Sequence, residues 1–122
     1  MSKIFILEDD PNRIKFFKQM FFNHTLAICT TVKEAKIKIK KEIDWDYIFL
    51  DHDLGGRIYV SSNEEETGCT FAKFIVQENI IIWKIIIHSL NILGAENIYQ
   101  ILKEKYNVEK IPFIFLKKDI IK

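Results

Sequence analysis

The chain has 122 residues, enough for one domain around one core. Lysine and arginine total 18 and aspartate and glutamate 17, so there is no overall field to steer the protein onto duplex nucleic acid. With 48% hydrophobic and 29% charged residues the composition is globular, and the longest apolar stretch, Ile80–Ile87, is broken by Lys84 and is far too short to cross a bilayer. Two distant cysteines, Cys29 and Cys69, have no metal-ligand spacing, and Met-Ser-Lys-Ile-Phe has no signal-peptide layout. Reduced thiols and a cytoplasmic location are expected. Enrichment in Ile, Lys, Asn and Phe points to an AT-rich bacterial or phage genome.

Lys3–Leu7 is a short apolar run with β-branched and aromatic residues, and it predicts a strand. Asp10-Pro11 then supplies a helix cap and a first-turn proline, predicting a helix over Pro11–Phe22 with Ile14, Phe17 and Phe21 on one face. His24–Cys29 reads as a second strand. Thr31-Val-Lys-Glu34 fits a capping box that opens a lysine-rich helix to Glu42. Asp46–Asp51 is the third strand, with consecutive apolar residues that suit burial on both faces. Gly55–Glu66 is a long polar loop. Thr67 caps a helix over Gly68–Asn79, Trp83–His88 is the fourth strand, Leu93–Tyr106 the fourth helix and Pro112–Leu116 the fifth strand. The alternation βαβαβαβαβ argues for one α/β domain over residues 1–122. Its architecture is three-layer, a five-stranded parallel sheet with helices on both faces.

Ligands of open parallel sheets bind outside the carboxyl ends of the strands. Those ends carry Glu8, Asp9 and Asp10 after the first strand, and Asp51, His52 and Asp53 after the third. His88, Ser89 and Asn91 follow the fourth, and Lys117 and Lys118 the fifth. Carboxylates such as Glu8, Asp9 and Asp51 offer hard oxygen ligands for Mg²⁺ or Mn²⁺, and Asp53 offers another. A lysine and a hydroxyl can hold phosphoryl oxygens, and an aspartate can itself attack phosphorus. Structural roles compete with these. Asp10 suits a helix cap, Asn91 and Ser89 can cap the fourth helix, and His88 can be a hydrogen-bonded core histidine.

In element order the chain resembles the receiver domain of bacterial response regulators. Ile6-Leu-Glu-Asp-Asp-Pro11 is similar to the receiver acidic motif, Leu50-Asp51 to the phosphoacceptor position, Ser89 to the hydroxyl residue after the fourth strand, and Phe115-Leu-Lys-Lys118 to the lysine after the fifth. The resemblance implies a flavodoxin/receiver-like sheet of strand order 2-1-3-4-5, with no room left for a fifth helix. The departures are Asp51-His-Asp-Leu-Gly-Gly56, His88 before the hydroxyl residue, Thr67-Gly68, and Asn91 followed by Gly94-Ala95. Together they resemble the cyclic-phosphate processing receiver domains.

That resemblance implies a metal-assisted phosphodiesterase acting on cyclic nucleotides or 2′,3′-cyclic phosphate RNA ends. Opening the ring needs an activated water, charge stabilisation and a proton for the leaving oxygen. His52 and His88 are the expected acid–base pair, with Asp51 and Lys118 beside them. Ser89 and Asn91 are expected to bind substrate, and Arg57 and Tyr59 to reach it from the long loop. A stand-alone receiver phosphorylated on Asp51 and a non-catalytic nucleotide-binding module are the alternatives. The run Phe16-Phe17-x-x-Met20-Phe21-Phe22 wraps more than one helix face; it can cover the gap left by the missing fifth helix or form a homodimer through Phe17 and Phe22, and the homodimer is the favoured expectation.

Overall fold

The computed structural model describes residues 1–54 and 66–121. Arg57 and Tyr59, and the notion of a lid over Gly55–Glu66, fall almost wholly outside the described residues. Five parallel strands, β1 (Lys3–Leu7), β2 (Thr25–Cys29), β3 (Asp44–Leu50), β4 (Ile81–Ile87) and β5 (Val108–Lys110), form one sheet of order β2-β1-β3-β4-β5. Four helices connect them: α1 (Pro11–Met20), α2 (Val32–Lys38), α3 (Gly68–Gln77) and α4 (Ile92–Leu102). None of the described helices is long and apolar enough to cross a membrane.

The caps are those the residues dictate. The Asp10 carboxylate accepts from the backbone N–H of Asn12 and Arg13, and Thr31 and Thr67 cap α2 and α3. The lysine-rich helix is shorter than expected: after Lys38 it tightens into a 3-10 turn, Ile39–Lys41, which brings the Ile39 carbonyl to the Trp45 indole at 2.9 Å.

Side-chain alternation sorts the strands between two cores. In β1, Phe5 and Leu7 enter a core built with α2, α3 and α4, whereas Ile4 and Ile6 enter a second core with Phe17 of α1 and Phe21 at its C-terminal end. In β3, Ile48 and Leu50 take the first side and Tyr47 and Phe49 the second. In β4, Ile85 and Ile87 take the first and Ile86 the second. Each fully buried aromatic or branched side chain contributes about 1.5–3 kcal/mol.

The fifth strand lies earlier than its sequence suggested. Val108–Lys110 pairs with β4, while Phe113–Phe115 winds into a 3-10 turn, because Pro112 has no N–H to offer a ladder. Beyond it, Leu116 and Ile121 are buried in the α1-side core, with Ile111, Phe113 and Ile120 packed against it. The tail thus fills the side of the sheet where a fifth helix was expected to be missing; no fifth α-helix occurs among the described residues. Phe17 is wholly buried in that same core and cannot form a dimer face, whereas Phe22 is 81% exposed.

Candidate functional site

Alternation continues past the strand ends and decides which polar side chains meet. Glu8 follows the parity of Ile4 and Ile6, Asp51 that of Phe49, and His88 that of Ile86, so all three turn toward α1. They converge: one ligand atom from each of Glu8, Asp51 and His88 lies within 4.8 Å of the others, and all three residues are buried. Backbone hydrogen bonds fix the ends, from Asp51 N to the Leu7 carbonyl (3.2 Å) and from His88 N to the Leu50 carbonyl (3.0 Å).

Glu8 is the hub of this cluster. Its Oε2 accepts from the backbone N–H of Asp9 and Asp10 at 3.0 Å each. Its Oε1 accepts from His88 Nε2 at 2.9 Å and faces Arg13 Nη1 at 3.5 Å. Burial opposes ionisation of Glu8, but the His88 bond and charge, the Asp10 N–H and the Arg13 guanidinium outweigh it and hold the carboxyl below its ordinary value. Asp51 has the opposite balance. Burial, reinforced by the Glu8 charge, pushes its carboxyl up to about 6 against the pull of His88, Arg13 and the His52 N–H. His88 packs edge-on to Phe17 and beside Phe49 and Phe113. With Nε2 donating to Glu8, its Nδ1 is buried and without a hydrogen-bond partner among the described residues.

His52 has the parity of Leu50 and turns to the other layer. Its Nδ1–H donates to Asp53 Oδ1 at 2.7 Å, and its ring lies under the first turn of α4. Burial would lower its pKa, but hydrogen bonds to Cys69 and Asp53 prevail and raise it. Asn91 caps α4 through Oδ1 to the Gly94 N–H (2.9 Å), and its Nδ2 donates to Asp53 Oδ1 (3.1 Å). Ser89 Oγ accepts from the Asn91 N–H (3.1 Å).

The motif glycines are explained by these close approaches. A Cβ at Gly94 would stand 2.4 Å from the His52 ring, and one at Gly68 would stand 2.1 Å from the Asp51 carbonyl oxygen. Only glycine lets α3 and α4 close on the end of β3 in this way.

The structure therefore brings together Glu8, Asp51 and His88, and separately His52, Asp53 and Asn91. His52 and His88 are seated in different layers and do not face one another as an acid–base pair. Asp53 is engaged with His52 and Asn91, and Asp9 lies outside the three-ligand cluster. Lys118 is exposed, in a 3-10 turn well past the end of β5, and makes no ion pair with the acidic cluster. The cation at the cluster is Arg13, whose Nη1 also lies 3.9 Å from Asp51 Oδ2. Sequence reasoning missed it, although Arg13, Phe17 and Phe21 form one i, i+4 stripe of α1 facing the sheet.

The donor set fits a divalent cation. Two buried carboxylates and an imidazole each bring one ligand atom within 4.8 Å of the others, a set of oxygen and nitrogen donors that suits such an ion. The receiver-like architecture has counterparts among known proteins. Residues 4–104 match the family described as the cyclic-phosphate processing receiver domain. The chain belongs to that family.

No curated protein matches this receiver domain significantly. Among solved structures it is similar to the Francisella response regulator 1452 receiver domain (TM-score 0.70, 21% identity, covering 99% of this chain and 91% of that one). It is also similar to the response regulator TrrA from Thermotoga maritima, solved in complex with Mg²⁺-BeF (TM-score 0.68, 20% identity, 98% and 96% covered). The signal receiver domain of a LuxO repressor homologue from Vibrio parahaemolyticus is a third (TM-score 0.67, 20% identity, 98% and 86% covered). At these identities the likeness is one of fold.

Proposed function

We propose that this receiver domain hydrolyses a cyclic phosphodiester at the carboxyl edge of its sheet, at Glu8, Asp51 and His88. The observation that carries the reading is the buried Glu8–His88 pair beside Asp51: an imidazole held by one carboxylate meets a second carboxylate at one strand edge. In the reaction, water loses a proton to His88 as its oxygen bonds to phosphorus. The ring P–O bond breaks, and the departing oxygen takes that proton from the imidazolium to become a hydroxyl. Glu8 holds the His88 ring by its Nε2–H and stabilises the imidazolium when it forms. Asp51 and Glu8, with Asp9 on the rim, would hold Mg²⁺ or Mn²⁺. The ion supplies Lewis-acid neutralisation of phosphoryl oxygens.

His52, Asp53 and Asn91 serve this site as its frame rather than as reacting groups. Cyclic nucleotides and 2′,3′-cyclic RNA ends are the substrate classes that the reading accommodates. Free, buried Cys29 and Cys69 support a reducing, cytoplasmic setting.

The test is turnover of a panel of 2′,3′- and 3′,5′-cyclic nucleotides with Mg²⁺ or Mn²⁺, read by chromatography for wild type and His88→Ala. Ring-opened product from wild type alone supports the reading. An intact panel, together with stable acceptance of phosphate from acetyl phosphate by wild type but not Asp51→Asn, would replace it with the phosphoacceptor reading.

A further inference from the structure

The strongest unused group in the molecule is the Arg13 guanidinium. Its Nη1 stands 3.5 Å from Glu8 Oε1 and 3.9 Å from Asp51 Oδ2, close enough for attraction and too long for good hydrogen bonds. Among the described residues no hydrogen bond engages the guanidinium, which holds Glu8 and Asp51 by charge alone and keeps its fork of five N–H donors open to a ligand from the solvent side. The plane is nonetheless held: its carbon lies 5.0 Å from the centroid of the Phe113 ring, and Phe113 is tied through its backbone N–H to the His88 carbonyl at 3.2 Å. The side chain is 18% exposed, so it reaches from the buried cluster to solvent.

An arginine that is oriented, charged and without hydrogen bonds at the rim of a phosphate-type site has one evident ligand class. Its planar fork matches two oxygens of a phosphate group, a geometry an ammonium cannot reproduce. A phosphodiester presents two non-bridging oxygens and a single negative charge, which suits one fork. We infer that Arg13 is the phosphate-binding residue of this site, gripping the two non-bridging oxygens of a phosphodiester, in the role that resemblance to receivers would give to Lys118.

The inference rests on the cyclic-phosphate reading and sharpens it. Before a ligand arrives, Arg13 offsets the charge of Glu8 and Asp51. When a phosphate arrives, the guanidinium shifts its donors to the ligand while keeping its stack on Phe113. Lys118, exposed and with no contact to the cluster, takes no part in binding.

The experiment is direct binding of 2′,3′-cyclic AMP, 3′,5′-cyclic AMP and inorganic phosphate, followed by calorimetry and by ³¹P NMR. It compares wild type, Arg13→Lys, Arg13→Ala and Lys118→Ala in the presence of Mg²⁺. Thermal melts without ligand establish that each variant is folded, and Arg13→Lys keeps a positive charge beside the acids. The expected result is binding of at least one cyclic nucleotide by wild type, weakened about tenfold or more in Arg13→Ala. Arg13→Lys should recover only part of the loss, and Lys118→Ala should bind as wild type. Unchanged binding by Arg13→Ala, or loss in Lys118→Ala instead, overturns the role of Arg13 and leaves the cyclic-phosphate reading standing. Failure of wild type to bind any of the three overturns both.

Discussion

His88 Nε2 donates to Glu8 Oε1 across 2.9 Å, and neither residue has any exposed surface. Every partner of the Glu8 carboxylate is a donor: two backbone N–H groups, an imidazole N–H and, at longer range, a guanidinium. Glu8→Gln is isosteric but must aim an NH₂ at one of these donors. An unsatisfied buried donor costs about 1–3 kcal/mol, so the variant should be destabilised by that amount. Urea denaturation at pH 7 measures it. A midpoint equal to that of wild type would mean that the pair is not held as described.

The Asp51 carboxyl, pushed up to about 6 by burial and by Glu8, makes stability depend on pH in an unusual direction for an acid. Its folded pKa lies above the unfolded value near 3.8, so the folded state binds the proton more tightly. Ionised Asp51 therefore costs stability above pH 6, and the cost is relieved as pH falls from about 6 toward 3.8. Asp51→Asn mimics the protonated form. In a metal-chelating buffer it should be more stable than wild type at pH 7.5 by on the order of 2–3 kcal/mol, and the advantage should shrink as the medium is acidified. Denaturation curves of both proteins across that range decide the matter; a constant difference would refute the shift.

A divalent cation should offset that difference. Bound to the native cluster alone, it stabilises by mass action, about 2.7 kcal/mol at a hundredfold excess over Kd. Titrating Mg²⁺ and Mn²⁺ into wild type should raise the melting temperature steadily, and Asp51→Asn should respond to neither. If the His88 nitrogen takes part, His88→Ala should lose more of the Mn²⁺ effect than of the Mg²⁺ effect, because imidazole suits the softer ion. Identical curves for wild type and Asp51→Asn would exclude the cluster as the binding site.

The layers of this fold were readable because strong signals agreed. Asp10-Pro11 and Thr67-Gly68 mark helix starts, and Tyr47-Ile-Phe-Leu50 suits a strand buried on both faces. The strand ends were readable as polar clusters, and the period of two already held the finer answer. Counting parity from Phe49 and Ile86 sends Asp51 and His88 to one face, while parity from Leu50 sends His52 to the other. The histidines were instead joined on residue type, which carries no direction. The fifth strand lies elsewhere for a different reason: Phe113-Ile-Phe-Leu116 is apolar enough for a strand, but only Phe113 and Leu116 pack on the α1-side core while Ile114 and Phe115 stay exposed, and three residues, Val108–Lys110, are too few to show a period. Arg13 stayed hidden because a cation in a helix reads as surface until the helix face is aligned with Phe17.

Gly94 and His52 allow a sharper test of the frame. A methyl at Gly94 would lie 2.4 Å from the His52 ring, and a methyl at Gly68 would lie 2.1 Å from the Asp51 carbonyl oxygen. Both alanine variants overpack the end of β3, at a cost of about 1–3 kcal/mol or more. The obstacles differ in kind. A side chain can be cut away, and a backbone carbonyl cannot. His52→Ala opens room beside Gly94, so Gly94→Ala should cost much less in that background than in wild type. Gly68→Ala should cost the same in both. Denaturation of the single and double variants measures the two couplings. A strong interaction for the Gly94 pair and none for the Gly68 pair would establish His52 as the wedge beneath α4. Additivity in both would mean that the ring does not sit there, and would reopen its use as an acid or base.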